Sequence, residues 1–143
     1  GTGLATASTG ESDLITLVVC GAHMQGLPLN HQLTERGGAL VQATRTAPGY
    51  RLYALSGGPP YRPGLVRDTG EGAHIEVEVW QLPLTELGGF MAGIPSPLGI
   101  GTVELENGDW HKGFICEPWA IASARDITRF GGWRAFLAAR TDS

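Results

Sequence analysis

Glycine and proline interrupt this chain so often that its helices and strands must be short. The 143 residues include 22 glycines and 9 prolines. Glycine weakens the interior of a helix or strand, and proline removes a backbone donor, so both residues favour turns. Their distribution predicts many short strands joined by tight turns rather than a helical bundle. The length is sufficient for one such domain with its own core.

Apolar and alternating segments indicate where the strands lie. Leu14 to Cys20 is continuously apolar, which predicts a strand buried on both faces. Ile75 to Leu82 alternates, so its glutamates must face water or a polar pocket. Asn107-Gly108 is a strong turn signal, and it predicts a hairpin between Thr102 to Glu106 and Trp110 to Glu117.

The remaining segments predict a second hairpin, two irregular segments and several short helices. Ala47-Pro48-Gly49 is a turn signal, so Ala39 to Thr46 and Tyr50 to Leu55 are expected to pair with each other. Ser56 to Gly64 and Ile94 to Gly101 are expected to be irregular because of their prolines and glycines. The other expected elements are a short edge strand at Leu65 to Arg67 and helices at His31 to Arg36, Thr85 to Met91, Pro118 to Arg125 and Trp133 to Arg140. These elements predict an α+β domain with a mostly antiparallel, barrel-like sheet of six or seven strands.

Charge and composition exclude several classes of function. The formal net charge is −4 and no basic run occurs, so nucleic acid is not an expected partner. No apolar run approaches the ~18 residues of a membrane span, and no secretory signal is visible. Two cysteines are too few for a disulfide framework, which favours a reducing, cytoplasmic setting. Gly1 to Asp13 is small and polar and is expected to be a flexible linker or tail, with the domain at 14–143.

The loop after the first strand is a candidate anion-binding site. A buried strand that turns sharply at a glycine presents successive backbone N–H groups, and such a concave nest binds anions. Gly21, Ala22, His23 and Met24 are expected to form the nest, with His23 adding a side chain that titrates near neutral pH. From these residues alone, a loop histidine without a chemical role is the commoner interpretation.

The segment Val18 to Gln32, VVCGAHMQGLPLNHQ, resembles the opening of the γ-glutamyl cyclotransferase-like fold. In that fold a strand runs into a Y-G-[ST]-L motif whose backbone binds a substrate carboxylate. Cys20 and Met24 replace the tyrosine and leucine here, so only the glycine and the spacing are shared. The catalytic glutamate of the cyclotransferases would fall at Ala92, which cannot transfer a proton. The resemblance therefore implies the fold without cyclotransferase activity.

Longer runs resemble the C-terminal domain of allophanate hydrolase in the same order along the chain. The runs are GAHMQGLPLNHQLTERGG, TRTAPGYRLYAL, IPSPLGIGTVEL, KGFICEP and ARDITRFGGWRAFL. In that family an N-terminal amidase domain with a Ser-Ser-Lys catalytic set releases ammonia from allophanate. The C-terminal domain is thought to assist decarboxylation of the product, N-carboxycarbamate, or in some members mainly to support assembly. The resemblance thus implies an amidase domain of the same polypeptide as a partner, and a homo-oligomer.

The implied decarboxylation gives each candidate residue an expected role. Loss of carbon dioxide leaves an electron pair on nitrogen, and a positioned proton donor typically accelerates such a step about 10²–10⁴-fold. His23 is the expected donor, and Lys112, the sole lysine, is the expected cation for the small dicarboxylate-like substrate. Asn30 either orients the substrate or caps the following helix, and Glu117 either lines the pocket or lies on the surface. No metal or organic cofactor is required.

Two further questions stay open at the level of sequence. Cys20 and Cys116 both end apolar strands, so they are expected to be buried small hydrophobic residues rather than zinc ligands. A non-catalytic assembly module is the alternative function. An exposed apolar strip around Phe130, Trp133 and Phe136 would favour that alternative.

Overall fold

Eight strands and three α-helices make up the described part of the chain, residues 13–142 of a computed structural model. The strands are β1 (Leu14–Val19), β2 (Ala39–Arg45), β3 (Tyr50–Ala54), β4 (Pro63–Arg67), β5 (Glu76–Pro83), β6 (Leu98–Glu104), β7 (Trp110–Cys116) and β8 (Arg125–Asp126). The helices are α1 (His31–Thr34), α2 (Leu87–Ala92) and α3 (Trp133–Asp142), with 3₁₀ turns at Leu84–Glu86, Pro118–Ser123 and Thr128–Phe130. Apart from Asp13, the predicted N-terminal tail lies outside the described residues.

The strands form two sheets. The first has the order β2-β5-β1-β7-β6 and the second the order β4-β3-β8. Every pair is antiparallel except β1 with β7, which is parallel. The edge strands of the first sheet meet beyond one end, where Thr46 bridges Leu105 and the Ala47 N–H donates to the Glu104 carbonyl at 2.9 Å. The sheet is therefore barrel-like without closing along its length, and the predicted α+β class is confirmed.

The predicted pairing of Ala39 to Thr46 with Tyr50 to Leu55 is wrong. β2 pairs with β5, whereas β3 pairs with β4 and β8 in the other sheet. The reason lies at Thr46, which is fully buried and donates its N–H to the Ile75 carbonyl at 2.9 Å. The turn that follows moves the chain from one sheet to the next. β3 forms its hairpin with β4. Because β4 begins at Pro63, Pro63 and Gly64 belong to a strand and not to the segment that was expected to be irregular.

The hairpin at Asn107-Gly108 is confirmed, because β6 and β7 pair in antiparallel register on either side of it. β6 begins earlier than expected, at Leu98 opposite Cys116. The expectation that Ile94 to Gly101 is irregular is therefore wrong for its second half. Pro97 is the last proline of this segment. The residues after it in β6 all have a backbone N–H and can therefore pair with β7.

The short helices lie near their predicted positions with different ends. α1 is four residues long, α2 follows the 3₁₀ turn that contains Thr85, and the segment from Pro118 is a 3₁₀ turn rather than an α-helix. Trp133 and Phe136 on α3 are buried, so the exposed strip that would have favoured an assembly module is not present. No helix among the described residues is long and apolar enough to cross a membrane.

Candidate active site

The loop after β1 is held in one conformation by its own backbone and by Asn30. The Met24 N–H donates to the Gly21 carbonyl at 3.0 Å, which closes a turn, and the Leu29 N–H donates to the Ala22 carbonyl at 2.8 Å. Asn30 donates its side-chain amide to the His23 carbonyl at 2.8 Å. These bonds leave the N–H groups of the two central turn residues, Ala22 and His23, without a backbone acceptor in residues 13–142.

A buried carboxylate links the far end of this loop to β5 and α3 through hydrogen bonds and an ion pair. Glu78 is 3 % exposed and accepts hydrogen bonds from the Gln25 N–H at 2.8 Å and the Trp80 Nε1–H at 3.0 Å. It also pairs with Arg134 of α3 at 2.9 Å, and Arg134 donates to the Gln25 carbonyl at 2.7 Å. The predicted polar pocket for a β5 glutamate is therefore built by the site loop itself.

His23 lies between two phenylalanines and is 8 % exposed. Its ring stacks on Phe114 with centroids 4.9 Å apart and meets Phe90 edge-on at 5.3 Å. Burial lowers the pKa of His23, and the charges of Arg62 and His31 lower it further, against the opposing effect of the hydrogen bond that His23 donates to Gln32. The histidine is therefore neutral at pH 7.

The bond to Gln32 favours one tautomer of His23. Nε2 of His23 lies 2.7 Å from the Gln32 Oε1, and an amide oxygen can only accept a hydrogen bond. With the amide oriented in this way, Nε2 carries the proton and Nδ1 carries a lone pair. Nδ1 makes no hydrogen bond to the described residues, which leaves it available to a ligand.

A small cavity of about 20 Å³ lies against this loop. Residues 20–23 line one side, and Arg62, Pro63 and Phe114 contribute to the other. The two sides approach so closely that a Cβ on Gly21 would lie 2.3 Å from the Pro63 Cδ. Glycine at this position is therefore required for the loop to lie next to Arg62.

Arg62 lines this cavity and also a second one of about 190 Å³, which Ser56, Gly57 and Ser96 line as well. The segment that carries Arg62 forms a loop closed by the Leu55 N–H, which donates to the Arg62 carbonyl at 3.2 Å. The Arg62 Nε is buried and has no hydrogen-bond partner. A cationic residue that sequence analysis overlooked thus lines both cavities.

The structure brings three of the predicted site residues, Gly21, Ala22 and His23, to the cavity. Asn30 holds the loop from behind and makes no side-chain capping bond to α1. Met24 is fully buried, and its N–H is already used by Gly21, so it is not a free member of a nest.

The two charged residues predicted for the site lie outside its lining. Lys112 is exposed, and its Nζ lies 3.4 Å from the Thr102 Oγ1. Glu117 is exposed and accepts a 2.6 Å hydrogen bond from the Trp119 Nε1–H. Neither residue lines the cavity beside His23.

Gln32, Phe114 and Arg62 belong to the site but were not predicted. Gln32 and Phe114 contact His23 only through the fold, and no sequence pattern marks them. The sequence did contain an indication of Arg62. It is a basic residue inside the rigid segment SGGPPYRPG of an acidic chain, but a solvated position was the simpler interpretation of it.

The two cysteines are buried, as predicted, and their thiols are unreactive. Burial raises the pKa of Cys20 to about 12, and it also raises the pKa of Cys116. Neither thiol is therefore ionised at neutral pH, which leaves both unreactive as nucleophiles. Among the described residues, no three His, Cys, Asp or Glu side chains gather as a metal site would require.

Comparison with known proteins identifies the family. Residues 15–138 match the family described as allophanate hydrolase C-terminal domain. The chain belongs to the allophanate hydrolase C-terminal domain family. Saccharomyces cerevisiae urea amidolyase is 44% identical to this family member over 130 residues, which cover 88% of the chain and 7% of the yeast protein. The chain therefore spans only a small part of the curated relatives that it matches.

Solved structures support the same assignment of this allophanate hydrolase C-terminal domain. Kluyveromyces lactis allophanate hydrolase superposes with a TM-score of 0.87 at 40% identity, covering 96% of this chain and 23% of that one. A uropathogenic E. coli-specific protein superposes with a TM-score of 0.83 at 34% identity, covering 88% of this chain and 97% of that one. A mouse Aig2-like protein, at TM-score 0.52 and 20% identity over 75% of this chain, shares the fold alone. The fold is the γ-glutamyl cyclotransferase-like one, as the sequence predicted.

Proposed function

We propose that this domain promotes the decarboxylation of N-carboxycarbamate, in the cytoplasm, after an amidase domain of the same polypeptide has released ammonia from allophanate. The observation that supports this most directly is His23, a buried neutral histidine beside a cavity that Arg62 also lines. The names of its relatives, urea amidolyase and allophanate hydrolase, supply the substrate.

The reaction requires one proton to move from oxygen to nitrogen. In the singly protonated substrate, HOOC–NH–COO⁻, the bond between nitrogen and the protonated carboxyl carbon breaks. Its electron pair stays on nitrogen, carbon dioxide leaves, and nitrogen gains the proton that the carboxyl group had lost. The products are carbon dioxide and carbamate, H₂N–COO⁻, so no external acid, oxidant or metal is consumed.

His23 is suited to carry that proton because it is neutral before the reaction. Its Nδ1 lone pair accepts the carboxyl proton, and the resulting imidazolium returns it to nitrogen. Gln32 keeps the Nε2 proton in place throughout, since its Oε1 accepts from Nε2 at 2.7 Å. His23 is thus a proton carrier rather than a resting acid, which refines the donor role expected from the sequence.

The cation of the site is Arg62 rather than Lys112 in this proposal. Arg62 lines the cavity beside His23, whereas the ammonium of Lys112 is exposed and contacts Thr102. A guanidinium also matches a carboxylate better than an ammonium does, because it offers two parallel N–H donors. The N–H groups of Ala22 and His23 add neutral donors on the opposite side.

The test is carbon dioxide release from N-carboxycarbamate that a separate allophanate amidase generates continuously in the assay. Adding the 143-residue chain is expected to accelerate carbon dioxide release without changing ammonia release. We expect His23→Ala to lose this acceleration by about 10²-fold or more, because a positioned proton carrier contributes about that factor.

His31→Ala is the matched control, since His31 is an exposed histidine on α1. It is expected to retain the acceleration of the unmodified chain. If the unmodified chain does not accelerate carbon dioxide release, the proposed function is wrong. If His23→Ala is as fast as the unmodified chain, another group carries the proton.

A purely structural assembly role has less support from the described residues. The aromatic strip that would have indicated it is covered, since Trp133 is 2 % and Phe136 5 % exposed. A homo-oligomer stays a prediction, to be checked by light scattering of the chain in solution.

A further inference from the structure

Arg62 differs from the other arginines of this chain in the contacts of its side chain. Four of the others pair with carboxylates, namely Arg36, Arg45, Arg51 and Arg134. Four more lie over aromatic rings, namely Arg67, Arg125, Arg129 and Arg140. Arg62 has neither kind of partner among the described residues, and its Nε is buried without any acceptor.

An unpaired buried N–H of a cationic group is costly, so its position needs an explanation. Leaving a buried donor without an acceptor costs its full desolvation penalty, which is larger for charged groups. Proteins keep such groups where a ligand supplies the missing acceptor, and stability is then lower than it would otherwise be. An anion outside the described residues would supply the acceptor that the Arg62 Nε lacks.

The surroundings of Arg62 define the size and shape of that anion. Arg62 lines both the cavity beside His23 and the second cavity of about 190 Å³. Pockets for drug-sized ligands measure roughly 300–1,000 Å³, so this space suits a molecule of only a few heavy atoms. A carboxylate beside Arg62 would pair with two parallel N–H donors of the guanidinium.

We infer that Arg62 anchors one carboxylate of a short dicarboxylate, and thereby positions the other carboxyl group beside His23. This inference rests on the proposed function and deepens it. The anchored group is the carboxylate that remains in the product carbamate. Its ligand class is a planar, doubly carboxylated molecule with one atom between the two groups.

Malonate is the probe for this inference, since a CH₂ replaces the NH of N-carboxycarbamate and the molecule is stable. Isothermal titration calorimetry is expected to show saturable binding to the 143-residue chain. Arg62→Gln is expected to weaken binding at least tenfold, because it removes the charge and the pair of donors. Arg62→Lys is expected to be intermediate, since it keeps the charge and loses the paired geometry.

Arg67→Gln is the matched control. Arg67 is an exposed arginine on β4 that lies over Trp110, and its loss is expected to leave malonate binding unchanged. Inorganic phosphate is the second probe, and tighter binding of phosphate than of malonate would overturn the carboxylate assignment. Malonate affinity of Arg62→Gln within twofold of the unmodified chain would also overturn the inference, as would an unmodified chain that does not bind malonate.

Thermal unfolding separates a ligand-binding role from a structural one. Arg62→Met is expected to unfold at the same or a higher temperature than the unmodified chain, because no internal partner is lost. Malonate is expected to raise the Tm of the unmodified chain but not that of Arg62→Met. A lower Tm for Arg62→Met would show an internal role for Arg62 and contradict the inference.

His23→Ala distinguishes this inference from the proposed function. That variant is expected to lose the acceleration of carbon dioxide release, whereas adding Arg62→Gln to it is expected to weaken malonate binding by the same factor as in the unmodified chain. Malonate binding through Arg62 without any decarboxylation would leave the carboxylate anchor standing and refute the proposed reaction.

Discussion

At the scale of single residues, the buried neutral state of His23 makes stability depend on pH. Burial lowers its pKa in the folded chain, whereas in the unfolded chain a histidine titrates near about 6.5. Below that pH the unfolded state binds more protons than the folded state, so the free energy of unfolding falls as the pH falls. Above pH 7 both states are neutral, and this contribution to stability is fully present.

Urea unfolding at pH 7.5 and pH 5 tests this expectation against His23→Gln, which has no titrating ring. The unmodified chain is expected to lose more stability between the two pH values than the variant does. Asp68, whose pKa is lowered by its hydrogen bond from Arg51, titrates below this window and does not interfere. Equal losses in the two proteins would show that His23 is not the titrating group.

Single residues of the candidate site also show what a sequence pattern can and cannot predict. His23 could be found because it follows a buried strand and a glycine, which together indicate an anion loop. Arg62 could not be found in that way, because a sequence does not show that a guanidinium has no partner. Lys112 was predicted as the cation because it is the sole lysine and lies on a strand beside Gly113, and these facts do not determine where its side chain points.

At the scale of strands and helices, Gly113 allows β7 to lie beside β1. A Cβ at this position would lie 2.8 Å from the Val18 Cβ, 2.9 Å from the Val18 carbonyl oxygen and 3.0 Å from the Val103 Cγ2. Gly113→Ala is therefore expected to lower the free energy of unfolding by about 1–3 kcal/mol, since extra carbon in a packed interior forces its neighbours apart. Urea unfolding measures this change.

Gly99→Ala is the control for that substitution. Gly99 lies on β6, and no atom lies within 4 Å of the Cβ position there. Its replacement is expected to change the free energy of unfolding by less than about 0.5 kcal/mol. A loss as large at Gly99 as at Gly113 would mean that glycine's backbone freedom, rather than packing against Val18, decides stability in these strands.

The positions of the strands along the chain were predicted better than the pairing between the strands. The segments of β1, β5 and β7 follow from apolar or alternating patterns, and the β6–β7 hairpin follows from its Asn-Gly turn. Ala47-Pro48-Gly49 is the opposite case, since the same turn signal serves a hairpin and a passage between sheets. Only the buried contacts of Thr46 with Ile75 determine which of the two forms, and these join residues distant in sequence.

At the scale of the whole molecule, Glu78 connects the site loop to the centre of one sheet and to the last helix. Glu78→Ala would leave the Gln25 N–H, the Trp80 Nε1–H and Arg134 without their shared acceptor. The expected loss of unfolding free energy is about 3 kcal/mol, because several donors lose their acceptor at once. Glu78→Gln, which keeps one acceptor oxygen, is expected to lose less in the same urea titration.

Glu35→Ala is the comparison for both substitutions, since Glu35 is exposed on the surface. It is expected to change the unfolding free energy by less than about 0.5 kcal/mol. If Glu78→Ala is no more harmful than Glu35→Ala, the loop does not depend on this carboxylate. The fold class was visible in the sequence at this scale, whereas the connection through Glu78 was not.

The hydrogen bond between Arg134 and the Gln25 carbonyl spans 109 residues of sequence. A ribosome adds about 5–20 residues each second, so roughly five to twenty seconds separate the synthesis of these two residues. Throughout that interval the loop that carries His23 exists without the helix that holds it. The bonds that Arg134 makes to this loop and to Glu78 therefore form only after the residues of α3 have been synthesised.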